Sequence, residues 1–123
     1  MNYDFRELNV YQKAKDLAHQ IFLVSKGFPY HEEKELGSQI RRSSSSIVLN
    51  IAESKQLYTG KEITRLNDAY ASSQEVKATL DLLEMREYIN RAQFNDFEGQ
   101  LTQIQKMLFV MIKRLRTENK SEI

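Results

Sequence analysis

The sequence is poor in the residues that cross-link, kink or interrupt a chain. It has no cysteine, which excludes a disulfide framework, a thiolate zinc site and a cysteine nucleophile. Pro29 is the single proline, and the four glycines are few enough for long helices to dominate. No run approaches the roughly 18 to 20 apolar residues of a membrane span, and residues 1–10 lack the pattern of a secretory signal. We therefore expect a soluble, cytoplasmic protein that makes no membrane contact.

Charge of one sign is also scarce, since the formal net charge is +1. The charges are nevertheless unevenly distributed along the chain. Residues 62–98 carry eight acids and four bases, whereas residues 106–120 carry five bases and only Glu118 as an acid. The C-terminal end is therefore locally basic. Its bases are Lys106, Lys113, Arg114, Arg116 and Lys120.

What the chain does have is apolar residues at spacings of three and four, which is typical of amphipathic helices. Four such segments are predicted, at about residues 6–26, 32–57, 60–88 and 91–117, with a frayed tail after Thr117. A length of 123 residues fits a single domain. Helices joined by short turns favour an all-α, antiparallel up-down-up-down four-helix bundle that spans residues 1–123.

Local signals fix several helix ends. Gly27 and the Phe28-Pro29 step end the first helix. Asn90 with Gln93 has the spacing of a capping box, in which each side chain satisfies a free backbone amide of the first turn, and Thr59 with Glu62 has the same spacing. Within the second helix, one interpretation is a break at Gly37, with Ser38 as the cap of the main body.

The fourth helix has the most regular apolar spacing in the chain. Phe94, Phe97, Leu101, Ile104, Leu108, Met111 and Leu115 form one seam of bundle packing. Residues 107–112 are apolar on every side, which leaves part of this stretch facing away from the seam. We expect a second copy of the protein to cover these remaining side chains, and the alternative is that they widen the core of the single chain. The predicted oligomer interface consists of Met107, Phe109, Val110 and Ile112.

The second helix contains the most unusual polar stretch, residues 39–53. Helical spacing places one polar stripe beside the apolar one, and a stripe of this kind at a helix interface must be hydrogen-bonded. Glu75 on the third helix is the natural partner for Arg42. The predicted network consists of Arg42, Ser46, Asn50, Glu53, Ser72 and Glu75. A ligand or phosphate site built on Arg41 and Arg42 is the functional alternative.

Catalytic and metal-binding patterns are not found. Asp16 and His19 have the spacing of a bundle metal site, but a dimetal centre requires a second such motif and two further carboxylates. A phosphate-binding glycine loop, a nucleophile elbow and a zinc spacing are also missing. We therefore predict no enzyme activity, no catalytic residue, no cofactor and no metal.

A series of residues spread from Phe5 to about Arg116 points to a known family. The series is Phe5-x-x-Leu8, Phe28-Pro29, Glu33, Leu36-x-x-Gln39, Arg42, Ser46-Ile47, Asn50-Ile51-Ala52-Glu53 and Ala69-x-Ala71-Ser72-x-x-Glu75. In this series the chain resembles the four-helix-bundle proteins encoded in 23S rRNA intervening sequences. Two positions depart from the family pattern, because Ser54 and Ala71 stand where the family usually has glycine. Both remain small, which is compatible with close helix packing.

The resemblance implies an antiparallel four-helix bundle that assembles as a homopentamer in some members. Relatives that accompany diversity-generating retroelements bind a reverse transcriptase and nucleic acid through a basic surface. No enzymatic activity is attributed to this fold. The family name records where the gene lies, so it does not itself imply contact with ribosomal RNA.

Two hypotheses follow for function. In the first, an oligomeric module binds RNA, DNA or a nucleic-acid enzyme through basic residues that assembly multiplies. The candidate residues are Arg41, Arg42, Lys113, Arg114, Arg116 and Lys120. In the second, the protein is a scaffold that binds only other proteins, because Glu53 and Glu75 occupy the arginines. The tyrosines do not alternate with basic residues in a recognisable platform for single-stranded nucleic acid. Recognition of a specific nucleotide sequence is therefore not predicted.

Overall fold

The fold is built from four helices, here described in a computed structural model for residues 4–55 and 59–121. The side chains of Glu33 and of residues 119–121 lie outside this description. After a 3-10 turn at Phe5–Glu7, helix α1 is Asn9–Ser25, α2 is Ser38–Glu53, α3 is Thr59–Met85 and α4 is Arg91–Ser121. Helix α4 thus continues beyond Thr117, whose hydroxyl donates to the Lys113 carbonyl oxygen.

Each helix packs against the next along the chain, and α4 closes the ring by packing against α1. Cross-helix hydrogen bonds show that neighbouring helices run antiparallel. Ser46 on α2 bonds Ser72 on α3, and Gln39, earlier on α2, bonds Glu75, later on α3. Gln20 near the end of α1 bonds Gln100 near the start of α4. The predicted all-α antiparallel four-helix bundle is therefore confirmed.

The core consists of the apolar stripes that the helical spacing predicts. On α2, Ile40, Ile47 and Ile51 are buried, and Ser43 and Ser44 lie on the same side. Each of these two hydroxyls donates to a carbonyl oxygen of its own helix, so neither is an unsatisfied polar group. The other large, fully buried side chains are Val10, Leu17, Leu66, Val76, Leu80, Leu83, Leu101, Ile104 and Leu108.

The segment before α2 differs from the sequence prediction. The chain does not break at Gly37, because a helical turn at Tyr30–Glu32 continues through a π-helical segment, Glu33–Gly37, directly into α2. Gly37 is itself helical, with φ −62° and ψ −48°. A Cβ there would lie 3.1 Å from Arg41 Nη1 and 3.3 Å from the Glu32 carbonyl oxygen. Glycine therefore serves close packing here rather than a turn.

The π-helical segment positions a buried carboxylate. Glu32 is 4% exposed, and its Oε1 accepts a hydrogen bond of 2.9 Å from Arg86 Nη1 at the end of α3. Burial and the negative charge of Glu32 together raise the pKa of the neighbouring Tyr88 above its usual value. This contact joins the helical turn Tyr30–Glu32, which precedes α2, to the α3–α4 turn.

The two predicted capping boxes have different outcomes. The Asn90–Gln93 box is confirmed, since the Gln93 amide donates to Asn90 Oδ1 at 2.8 Å and the Asn90 amide donates to Gln93 Oε1 at 2.9 Å. Thr59, in contrast, is already the first residue of α3, and the Glu62 carboxylate lies 3.7 Å from Lys55 Nζ. Glu62 therefore joins the start of α3 to the end of α2.

The α3–α4 turn holds a non-glycine residue in the left-handed region, Glu87 with φ 63°. The Tyr88 amide donates to the Leu83 carbonyl oxygen at 2.9 Å, which is the long bond of a Schellman motif. Glycine is usual at this position because a Cβ is disfavoured in the left-handed conformation.

We predict that Glu87→Gly stabilises the protein by about 1 kcal/mol, because it removes the Cβ conflict at a positive φ. Asp81→Gly is the matched control, since Asp81 is an exposed acid within α3. It should destabilise by about 1 kcal/mol, the cost of glycine inside a helix. Urea unfolding of both variants measures the difference. Equal destabilisation by the two changes would contradict the assignment of strain to Glu87.

Candidate nucleic-acid interface

The polar seam between α2 and α3 is smaller than the sequence predicts. Ser46 Oγ and Ser72 Oγ share a hydrogen bond of 2.8 Å. Asn50 Nδ2 donates to the Ser46 carbonyl oxygen at 2.9 Å and to Ser46 Oγ at 3.1 Å. These three side chains form a satisfied, half-buried network. Both predicted acids are engaged elsewhere, as Glu75 accepts from Gln39 Nε2 at 3.4 Å and Glu53 lies 3.6 Å from Arg65 Nε.

The two adjacent arginines have different environments. Arg41 is half-buried, and its Nη1 donates to Ser25 Oγ at 3.1 Å, which ties α2 to the end of α1. Arg42 is exposed and makes no ion pair or hydrogen bond with any described residue. The predicted pair between Arg42 and Glu75 is therefore not formed. Helical spacing placed Arg42 near the seam, but it could not determine which side chain of α2 reaches Glu75.

The remaining bases lie near the end of α4. Lys113, Arg114 and Arg116 are all exposed, and none has an ion-pair partner among the described residues. We call these three residues the α4 basic cluster. The side chain of Lys120, the fourth predicted member of this group, lies outside the described residues.

The predicted nucleic-acid-binding residues do not form one surface. Arg41 contacts Ser25 at the end of α1, whereas Arg114 lines a groove with Asn9 at the start of α1. Sixteen residues of helix separate Asn9 from Ser25, a distance of about 24 Å at 1.5 Å per residue. Any interface that includes both arginine sites would have to extend along most of the bundle.

Part of the predicted oligomer interface is exposed and part is not. Phe109 and Val110 are 62% and 50% exposed, and we call them the α4 apolar patch. Ile112 is only 6% exposed and belongs to the monomer core, while Met107 packs partly against that core. Phe97 is buried, and four helical turns of about 3.6 residues each lead from it to about position 111.4. The side of α4 that faces the core therefore falls between Met111 and Ile112 at this point.

An open groove of about 680 Å³ lies beside the α4 basic cluster. It is bounded by residues that precede or begin α1 and by the last turns of α4. Its floor is mostly apolar and its rim carries charges of both signs. The lining residues are Leu8, Asn9, Val10, Lys55, Glu62, Lys106, Met107, Val110, Met111, Arg114, Leu115 and Glu118.

One surface that the sequence reading missed is a row of aromatic and basic side chains on α1. Lys15 Nζ lies 5.9 Å from the Tyr11 ring centroid, and Lys26 Nζ lies 4.6 Å from that of Phe22. His19 stacks on Phe22, with ring centroids 6.4 Å apart and an interplanar angle of 20°. We call Tyr11, Lys15, His19, Phe22 and Lys26 the α1 ladder. The sequence signal for this row is its spacing of four, four, three and four residues.

The described part of the chain offers neither a metal-binding cluster nor a membrane-spanning helix. No group of three or more histidine or acidic side chains among these residues is arranged to hold a metal ion. Within the same residues, no helix combines the length and the apolar character needed to cross a membrane.

Comparison with known proteins places these features in a family. The sequence model of the family described as 23S rRNA-intervening sequence protein matches residues 6–110. A protein of unknown function from the S23 ribosomal protein family of Bacteroides thetaiotaomicron, known from a crystal structure, is similar with 34% identity and a TM-score of 0.77. The similarity covers 85% of this chain and 95% of that protein. No curated protein matches the chain. The family match includes residues from all four helices.

The different environments of the two arginines lead to a test. We predict that Arg41→Ala destabilises the protein by about 1 kcal/mol, because it removes a charged donor from the buried Ser25 hydroxyl. Arg42→Ala should change the free energy of unfolding by less than about 0.5 kcal/mol, as expected of an exposed residue without a partner. Urea unfolding under identical conditions compares them. A loss at Arg42 equal to that at Arg41 would support the buried network that includes Arg42.

Proposed function

This chain belongs to the 23S rRNA-intervening sequence protein family, and on that basis we propose that it is a non-enzymatic helical module that self-associates and binds nucleic acid through the α4 basic cluster. The similar protein from Bacteroides thetaiotaomicron is itself of unknown function, so the proposal depends on this chain's own residues. Family membership supports the bundle, and the exposed charges support the ligand class.

The observation that carries the proposal is the lack of partners for the α4 basic cluster. Several bases elsewhere form ion pairs: Lys77 pairs with Glu98, Arg86 with Glu32 and Arg91 with Glu84. Lys113, Arg114 and Arg116 have no such partner among the described residues. Three unpaired bases within four residues form a local positive surface, although the whole chain is nearly neutral.

Self-association would strengthen this surface. The α4 apolar patch lies immediately before the α4 basic cluster on the same helix. A symmetric contact through Phe109 and Val110 would bring basic clusters from several copies close together. Because each neutralised phosphate releases counterions, such an array would bind a nucleic-acid backbone tightly at low salt.

A scaffold that binds only other proteins is the second candidate. It is favoured by large apolar side chains that are exposed on all four helices of the single chain, because contact with another protein would bury them. They include Phe22, Leu23, Leu49, Leu82, Met85 and Phe109. In that case the α4 basic cluster would serve only as a solvated, charged part of the surface.

We predict that replacing Lys113, Arg114 and Arg116 together by alanine weakens binding to structured RNA and duplex DNA at least tenfold at low salt. Each phosphate contact contributes about 0.9 to the slope of log K against log salt, so the slope for duplex DNA should fall by about two to three. Fluorescence anisotropy at several salt concentrations measures both quantities.

The matched control replaces Lys13, Lys34 and Lys61, three exposed bases outside the cluster, by alanine. It removes the same charge and should reduce affinity much less. Equal losses in the two triple variants would show that binding follows net charge and not the cluster. If the unmodified protein binds neither RNA nor DNA at low salt, the scaffold replaces this proposal.

A further inference from the structure

We propose that the α1 ladder is a stacking platform for single-stranded nucleic acid. The inference rests on the proposed function, because it assumes that nucleic acid is a ligand, but it assigns a different surface and a different strand form. Its basis is the interleaving of rings and positive charges along one exposed side of α1.

The five members of the ladder share one side of the helix. At about 100° per residue, Tyr11, Phe22, Lys15, Lys26 and His19 fall within an arc of about 80°. The buried residues Leu17 and Ile21 lie on another side, and Asp16, the only acid in α1, falls outside the arc. The ladder therefore presents aromatic rings and basic side chains, and no carboxylate of α1 lies among them.

The side chains in the second half of the ladder are more exposed than Tyr11, so a nucleobase would stack there first. Phe22 is 41% exposed, and Lys15, His19 and Lys26 are exposed as well. Tyr11 is half-buried and packs edge-on against Phe5, with ring centroids 5.0 Å apart. Phe22 and His19, whose rings are nearly parallel, thus offer the most accessible aromatic faces.

At the end of α1, α2 makes contact through a base. Arg41 of α2 donates to Ser25, which lies one residue before Lys26. Because Ser25 belongs to the buried stripe of α1, this guanidinium lies beside the ladder and not within it. Lys26 is therefore the ladder residue that would contact the phosphate next to a nucleobase stacked on Phe22.

The lysines that now cover the rings do not block a base. Base–aromatic stacking in single-strand binding proteins is stronger than a typical exposed cation–π contact. A nucleobase can therefore displace Lys26 from the Phe22 face. The released ammonium group remains on the same helix turn, where it can contact the adjacent phosphate.

The arrangement selects single strands because the bases of a duplex are already stacked on one another. A duplex could use only the lysines, whereas a single strand could use the rings as well. Tyr11 and Phe22 are eleven residues apart, or about 16 Å along the helix. At about 3.4 Å per nucleotide, this distance corresponds to roughly five stacked nucleotides.

The test measures binding of fluorescein-labelled oligothymidylate and oligouridylate of about 12 nucleotides, a typical single-strand site size, to the full chain at low salt. Phe22→Leu removes the ring but keeps an apolar side chain, and we expect it to weaken binding about tenfold. Phe22→Tyr keeps a stacking face and should bind within twofold of the unmodified protein. Leu23→Ala is the control, because Leu23 is the 52% exposed neighbour outside the ladder.

A second pair of variants tests the charges. Lys26→Gln should reduce the slope of log K against log salt by about 0.7, the value for one phosphate on a single strand. Lys13→Gln removes one charge from the same helix outside the arc and should leave the slope nearly unchanged. Equal slopes for the two variants would overturn the role of Lys26.

The outcomes separate this inference from the proposed function. Binding of duplex but not of single strands overturns the inference alone, as does single-strand binding that Phe22→Leu and Leu23→Ala weaken equally. A loss of oligomer mass in Phe22→Leu, measured by light scattering, would instead assign the ladder to a contact between copies and overturn the inference. No binding of any nucleic acid overturns both proposals.

Discussion

The close approach of helices through small, self-satisfied hydroxyl groups is the constraint on which this bundle depends. Serines stand on buried faces of α2 and α3, where a leucine would push the helices apart. Ser43, Ser44 and Ser73 are each at most 3% exposed, and each donates to a carbonyl oxygen of its own helix. Such bonds remove the cost of burying a hydroxyl without requiring a partner from another helix. The apolar stripes can then pack beside a polar seam, and α2 and α3 form the most extensive helix contact in the molecule.

The distribution of charge follows from this packing. Several bases form ion pairs with acids of neighbouring helices, as Lys77 does with Glu98 and Arg65 with Glu53. The exposed bases Lys113, Arg114 and Arg116 of α4, and the lysines of the α1 ladder, form no ion pair with an acid among the described residues. The basic residues thus fall into two groups, one that forms ion pairs between helices and one that is exposed and available to another molecule. This holds although the formal net charge is only +1.

Features that follow from the spacing of residues along one helix could be predicted from the sequence. Features that depend on how far a side chain extends, or on the exact direction in which a helical residue faces, could not. The four-helix architecture follows from the three-and-four repeat, and the Asn90–Gln93 box follows from a three-residue separation. The predicted ion pair between Arg42 and Glu75 was wrong. The position of a residue along a helix does not determine which of several long side chains extends to the neighbouring helix. Gln39 makes that contact instead. Ile112 faces the core because an α-helix has 3.6 residues per turn. Over several turns the inward-facing position therefore drifts away from a sequence pattern that repeats every 3.5 residues. The α1 ladder could not be predicted, because the spacing of an apolar residue such as Phe22 does not show whether its ring is buried or exposed beside a lysine.

The π-helical segment before α2 reconciles two requirements that a continuous α-helix could not meet. A π turn contains about one residue more than an α turn, so it shifts the azimuth of everything that follows by roughly one residue, or about 100°. With an α-helical segment in its place, Glu32 and the isoleucines of α2 could not both face inward, and either the Arg86 contact or the core would be lost. Residues 33–37 therefore act as a phase correction within one helix. A single-residue deletion in this segment would rotate Glu32 relative to the isoleucines of α2.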